Sequence, residues 1–179
     1  MNLKTQLFAH PAPYPPVKVQ QENPRYAAAM LSNMAACSSE MSAVSLYVYN
    51  GLLTKDCFPD YSTCFEKISM VEMHHLHLFG ELAFLLGTDP RLWSMKGDKP
   101  VYWSPSCNRY PEKIIPLVKN ALAGEKETIK TYKEQCSWIK DCYISDLLQR
   151  IILDEELHVR IFETMLEELT PPACSRPAN

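Results

Sequence analysis

Ile151-Ile-Leu-Asp-Glu-Glu-Leu-His-Val-Arg-Ile-Phe162 contains the contradiction that decides the fold. Around it Ile144, Leu148, Ile151, Phe162, Met165 and Leu169 recur at helical spacing, the seam of one amphipathic helix. Two members of that seam are polar. Glu155 and His158 stand three residues apart, so their side chains leave one face a turn apart. A carboxylate in a leucine's place is costly unless something compensates it. The compensation best suited to an inward Glu-x-x-His pair is a metal ion.

Three more helical seams precede this one. The first runs from Tyr26 to about Leu53 as one helix, through Met30, Asn33, Cys37, Glu40, Val44, Tyr47 and Gly51. Residues 54–60 make a short turn, which predicts an antiparallel second helix from about Tyr61 to Leu86. Its seam is Phe65, Ile68, Glu72, His75, Phe79, Leu82 and Leu86, and Gly87 with Thr88-Asp-Pro90 stops it. A third helix, about Pro111 to Ile139, carries Val118, Leu122, Glu125, Ile129, Tyr132 and Cys136. The fourth, about Asp141 to Leu169, holds the opening stretch. The expected architecture is all-α, a four-helix bundle of two antiparallel hairpins over residues 25–169. The proline-rich segment 88–111 is then a long structureless crossover that returns the chain along the bundle, with Trp93, Tyr102 and Trp103 packed on its surface. Residues 1–24 read as an extended arm, because Pro11, Pro13, Pro15, Pro16 and Pro24 fix φ and remove donors. Residues 170–179 read as a loose tail.

The polar seam positions repeat. Glu40 precedes Tyr47 by seven residues, as Glu125 precedes Tyr132. Glu72 and His75 in the second helix match Glu155 and His158 in the fourth. Packed about a pseudo-twofold axis, the hairpins bring four glutamates and two histidines together at mid-bundle. Four carboxylates balance two divalent cations, whereas without metal they repel and take up protons. Tyr47 and Tyr132 are either core tyrosines with satisfied hydroxyls or donors to a ligand carboxylate. Asp154 is either the acceptor for a ligand histidine's ring N–H or a capped surface aspartate. His74 and His77 turn away from the seam, His10 needs no role in the arm, and Glu81, Glu112, Glu127, Glu134, Glu163, Glu167 and Glu168 read as solvated surface.

At these residues the chain resembles the ferritin-like superfamily, and more closely the rubrerythrin-related stand-alone domains of bacteria. The matching segments are Ser39-Glu-Met-Ser-Ala43 with Tyr47, Glu72-Met-His-His75, Leu86-Gly-Thr-Asp-Pro90, Gly124-Glu125 with Tyr132, and Asp154-Glu-Glu-Leu-His158. The resemblance implies Glu40, Glu72, His75, Glu125, Glu155 and His158 as ligands to two Fe or two Mn ions, with Glu72 and Glu155 as bridges. Manganese catalases share a similar ligand arrangement. The chain departs from rubrerythrins at two points. It carries no Cys-rich rubredoxin segment, and Thr128 stands where they have a further carboxylate one turn after Gly-Glu.

Composition bounds the remaining possibilities. A hydrophobic share of 46% is enough for a globular core. A net charge of -3 without a basic run argues against nucleic acid as a partner. No apolar stretch is long enough to span a bilayer and no signal-peptide core opens the chain, so the expected location is cytoplasmic. Seven cysteines without a C-x-x-C pair exclude a local zinc knuckle and favour reduced thiols, with Cys37 and Cys136 as small buried hydrophobes; pairing among the others stays open. Three functions remain. The first is an oxidoreductase acting on peroxide or dioxygen with an unknown electron donor. The second is iron oxidation, storage or metal handling, and the third a non-catalytic bundle with a structural metal. The arm and the crossover aromatics suggest a homodimer.

Overall fold

A computed structural model describes residue 3, residues 6–97 and residues 99–170. The order is α1 (Pro24–Ala35), α2 (Glu40–Thr54), α3 (Pro59–Leu85), β1 (Trp93–Lys96), β2 (Lys99–Tyr102), a single 3-10 turn (Pro105–Cys107), α4 (Ile114–Trp138) and α5 (Cys142–Leu169). Helices α2 to α5 form the four-helix bundle, and α1 extends the first hairpin against α3. Among the described residues no helix is long and apolar enough to cross a membrane. The expected tail at 171–179, with Cys174, lies outside the described residues.

Local sequence sets the ends. Pro24 opens α1, and the Asn23 carboxamide caps it by accepting from the N–H groups of Arg25 and Tyr26 at 3.0 and 3.1 Å. Asp141 caps α5 through the N–H of Tyr143 at 3.0 Å. Gly87, at φ 88°, ends α3 in the left-handed conformation that side chains avoid.

Three expectations need correction. The first helix is not continuous: residues 36–39 leave the helix, and α2 restarts at Glu40. Ser38 and Ser39 compete locally for backbone groups, and Ser39 caps the new helix through the N–H of Ser42. The break places Glu40 at a helix N-terminus, where the positive end of the dipole favours a carboxylate. It also turns Cys37 to the surface, where Cys37 is disulfide-bonded to Cys107 with Cα atoms 4.7 Å apart. The reading of Cys37 as a buried free thiol is therefore overturned; Cys57, Cys64, Cys136 and Cys142 are free.

The crossover also has structure of its own. Strands β1 and β2 pair antiparallel from Trp93 opposite Tyr102 to Lys96 opposite Lys99. Trp93 and Trp103 pack against the core, but Tyr102 is 59% exposed and accepts from Arg91. Beyond the hairpin the chain follows α2: Trp103 Nε1 donates to Ser42 Oγ at 2.9 Å, and the Tyr49 and Tyr110 rings meet edge to face at 4.9 Å. It thus delivers α4 to the far end of the bundle, where Leu117 and Val118 pack with Phe65 and Phe162.

The apolar core is divided. One cluster contains Met30, Phe79, Leu82, Ile144, Leu148 and Ile151. The other contains Leu46, Phe65, Ile68, Val118, Phe162 and Met165. Asn33 on α1 and Gln135 on α4 exchange two amide hydrogen bonds, of 2.7 and 2.6 Å, within the first cluster's end of the molecule. Between the two clusters lies a buried acidic layer.

Candidate metal centre

Each bundle helix sends its polar seam residue into that layer. Glu40 from α2, Glu72 and His75 from α3, Glu125 from α4, and Glu155 and His158 from α5 are all at most 2% exposed. They form two overlapping groups whose ligand atoms lie within 4.8 Å of one another. One is Glu40, Glu72, His75 and Glu155; the other is Glu72, Glu125, Glu155 and His158. Glu72 and Glu155 belong to both. His75 Nδ1 lies 3.0 Å from Glu72 and 3.1 Å from Glu155; His158 Nδ1 lies 2.9 and 3.2 Å from the same two. All six residues singled out by the seam argument are brought together.

The tyrosines cross between the halves. Tyr47 donates to Glu125, and Tyr132 donates to Glu40. Each outer glutamate is thereby held by the opposite hairpin. The Nε2 atoms of the two histidines face away from the layer. His75 Nε2 meets Asp154 Oδ2 at 3.1 Å, and His158 Nε2 meets the carbonyl of Phe8 at 2.9 Å. A carboxylate and a carbonyl can only accept, so Nε2 carries the proton on both rings. Both Nδ1 atoms face the layer, where they donate to its glutamates in the bare chain and where a cation that displaces that proton would find the lone pair of a metal-binding imidazole. His74 and His77 are exposed, as their helical angles imply.

The arm does more than the sequence suggested. It lies across the α3–α5 face, and His10, for which the sequence alone suggests no role, takes part. Its N–H donates to Asp154 Oδ1 at 2.6 Å, and its carbonyl accepts from Arg150. Tyr14 donates to Asp154 Oδ2, under the Arg150 guanidinium that stacks 4.0 Å from its ring centre. Arg150 pairs with Asp154 at 2.8 Å. Arg150, Asp154 and His158 share one face of α5 at steps of four, a signal open to a reader of the sequence. The Phe8 carbonyl left no such signal, being backbone.

Burial and the charges of Glu72 and Glu155 push the Glu40 carboxyl well above its ordinary range; burial and the charges of Glu155 and Glu72 do the same to Glu125. Glu72 and Glu155 are also buried, yet hydrogen bonds from His158 and His75 hold both below the ordinary range. Burial opposes charge on His75, but Asp154, Glu155 and Glu72 raise it; on His158, Glu72 and Glu155 outweigh burial in the same way. Asp154 is buried too, and hydrogen bonds from His75, Tyr14, His10 and Arg150 bring it down to about 2. The bare chain therefore tolerates its acidic layer only by sharing protons.

The residues fit two divalent cations. Oε1 of Glu72 and Oε1 of Glu155 are fully buried and, without hydrogen-bond geometry, meet the Nδ1 atoms of His158 and His75 at 2.9 and 3.1 Å, an arrangement in which a cation could stand between them. Four carboxylates offset two divalent charges, and Asp154 is balanced separately by Arg150. Two imidazoles with carboxylate oxygens are a donor set suited to Fe or Mn. On the α2–α4 face, opposite the arm, a cavity of about 510 Å³ reaches the layer, lined by Glu40, Glu72 and Glu125 with Ala43, Gly124 and Thr128 among its walls.

The comparisons with known proteins agree with this geometry. No curated protein matches the chain in sequence. A manganese catalase from Anabaena superposes with a TM-score of 0.77 at 19% identity, over 97% of this chain and 87% of that one. Bacterioferritin from Mycobacterium tuberculosis superposes at 0.68 with 21% identity, over 84% and 89%. Bacterioferritin from Rhodobacter capsulatus, solved with a metal-free dinuclear site and heme iron, superposes at 0.65 with 22% identity, over 89% and 100%. At these identities the likeness establishes the shared ferritin-like fold. The rubrerythrin family model matches residues 34–166, which include all six inward residues, and the chain belongs to the rubrerythrin family.

Proposed function

We propose that this protein is a dinuclear Fe or Mn carboxylate oxidoreductase acting on peroxide or dioxygen. The observation that carries the reading is the sharing of Glu72 and Glu155 between two four-residue groups, each with one inward Nδ1. Glu40 and His75 would complete one position, Glu125 and His158 the other, with Glu72 and Glu155 bridging. When bound, the two metals supply a two-electron redox step at a single O–O bond.

The remaining work falls to the protein. Tyr47 and Tyr132 orient the outer glutamates, and Asp154 and the Phe8 carbonyl fix both imidazole tautomers. The apolar clusters on either side keep bulk water from the layer. The cavity lets a small oxidant reach Glu40, Glu72 and Glu125 from the α2–α4 face. That opening favours a reacting site over a closed structural one.

Elemental analysis of Glu72→Ala combined with Glu155→Ala tests the site. The expected result is loss of both metals, and retention of two per chain would refute the ligand assignment. Metal handling is the second reading, favoured by the same cavity as an entry for ferrous ion. Repeated consumption of peroxide by loaded protein supports the enzyme; one equivalent per metal pair supports handling.

A further inference from the structure

The cavity that reaches the acidic layer has two further residues in its wall, Cys37 and Cys107, joined to each other. Cys37 lies three residues before Glu40, so their Cα atoms are separated by at most about 11 Å. The sulfur pair and the layer thus share one small space. Cys37 is exposed and Cys107 half-buried, which leaves the bond within reach of a dissolved thiol.

A purely structural staple explains the bond poorly. The crossover is already fastened to α2 at this point, because Asn108 Nδ2 donates to the Ser42 carbonyl at 3.0 Å and to Ser45 Oγ at 2.7 Å. Trp103 adds its bond to Ser42 Oγ at 2.9 Å. Nor is the chain generally cross-linked: Cys57, Cys64, Cys136 and Cys142 remain free thiols. The one bonded pair among the described residues is the pair that faces the site.

We propose that Cys37 and Cys107 are a redox-active pair that delivers two electrons to the dinuclear site. This rests on the oxidoreductase reading given above. In the reduced state both residues are thiols. They give up two protons and two electrons as the Cys37–Cys107 S–S bond forms. The electrons and protons go to a peroxide, ROOH, whose O–O bond breaks to give ROH and water. A small external dithiol then reduces the bond by thiol–disulfide exchange and is itself oxidised to its disulfide. The net reaction is a dithiol plus a peroxide giving a disulfide, an alcohol or water, and water.

The test uses the full chain, loaded with ferrous ion and, separately, with manganous ion, beside metal-free protein. Each sample is reduced, desalted without oxygen, given one equivalent of hydrogen peroxide and alkylated at timed intervals. Peptide mass mapping then follows the Cys37–Cys107 cross-link apart from the other cysteines. The expected result is closure at least about tenfold faster in one loaded form than in metal-free protein, as delivery within one cavity implies. Equal closure rates in protein that holds its metals and consumes peroxide would overturn the proposal and leave the oxidoreductase reading intact. Failure to take up either metal would overturn that reading instead. As a second measurement, Cys107→Ser is expected to keep its metals but lose peroxide turnover driven by dithiothreitol. If dithiol-driven turnover persists in that variant, the bond is only a staple.

Discussion

The hydroxyl of Tyr132, on α4, donates to the carboxylate of Glu40, the first residue of α2. Tyr47 returns the same bond to Glu125, so each hairpin holds the outer glutamate of the other. Replacing Tyr132 or Tyr47 by Phe should lower metal affinity about 10- to 100-fold, as loss of an outer partner usually does. Competition with a chromogenic chelator measures this. The two variants should weaken different metal positions, and an unchanged affinity in both would make the tyrosines simple core filling.

Asp154 combines a structural and a metal-directed role. Asp154→Asn removes the counter-charge of Arg150, which is only 6% exposed, and leaves one acceptor oxygen where two now serve His10 and Arg150 on one side and Tyr14 and His75 Nε2 on the other. Breaking a buried pair from one side costs about 3–5 kcal/mol. Urea unfolding of the metal-free variant should show a loss near that size. Metal titration should show one weakened position and one normal one, because His158 keeps the Phe8 carbonyl.

Removing metal should destabilise the fold, since four buried carboxylates then repel. At free metal a hundred times the dissociation constant, binding adds about 2.7 kcal/mol. For a chain of this length that corresponds to a midpoint roughly 5–10 °C higher. Thermal melts with and without chelator decide it, and equal midpoints would argue against a built metal site.

Cys64 gives a pH prediction away from the centre. Burial and the charges of Asp60 and Glu168 push its thiol from 9.0 up to about 12. The native state thus keeps a proton that the unfolded chain loses first. This contribution to stability is complete below pH 9 and is lost as the pH rises from 9 toward 12. Iodoacetamide at pH 9 should label the exposed Cys57 and Cys142 while sparing Cys64 until the chain unfolds.

The bundle was legible because its seams are regular, and the site because its exceptions to those seams are regular too. Glu40, Glu72, His75, Glu125, Glu155 and His158 each break an apolar period, and each break recurs in the other half. The interruption at 36–39 was not legible. Cys37 and Glu40 keep the helical spacing across it, so periodicity passes over a gap that only Ser38 and Ser39 hint at. The arm failed for another reason. Its key contacts use the Phe8 carbonyl and the His10 N–H and carbonyl, groups that every residue possesses, and no side-chain pattern marks them. The Cys37–Cys107 pairing spans 70 residues and depends on where the crossover lies, which no local spacing encodes.

The amide pair between Asn33 and Gln135 has a consequence for assembly. By the offset of 85 residues that relates Glu40 to Glu125, Gln135 corresponds to Asn50 and Asn33 to Val118. The pseudo-symmetric copy of the pair is therefore missing, and the Asn50 amide finds no partner among the described residues. A chain made of two similar halves runs the risk of joining like with like. Substituting a second copy of the later hairpin for the earlier one would set Gln135 against Val118, a buried amide against a methyl group. The unmatched polar layer thus works as a key, letting the second hairpin recognise the first and reject its own image.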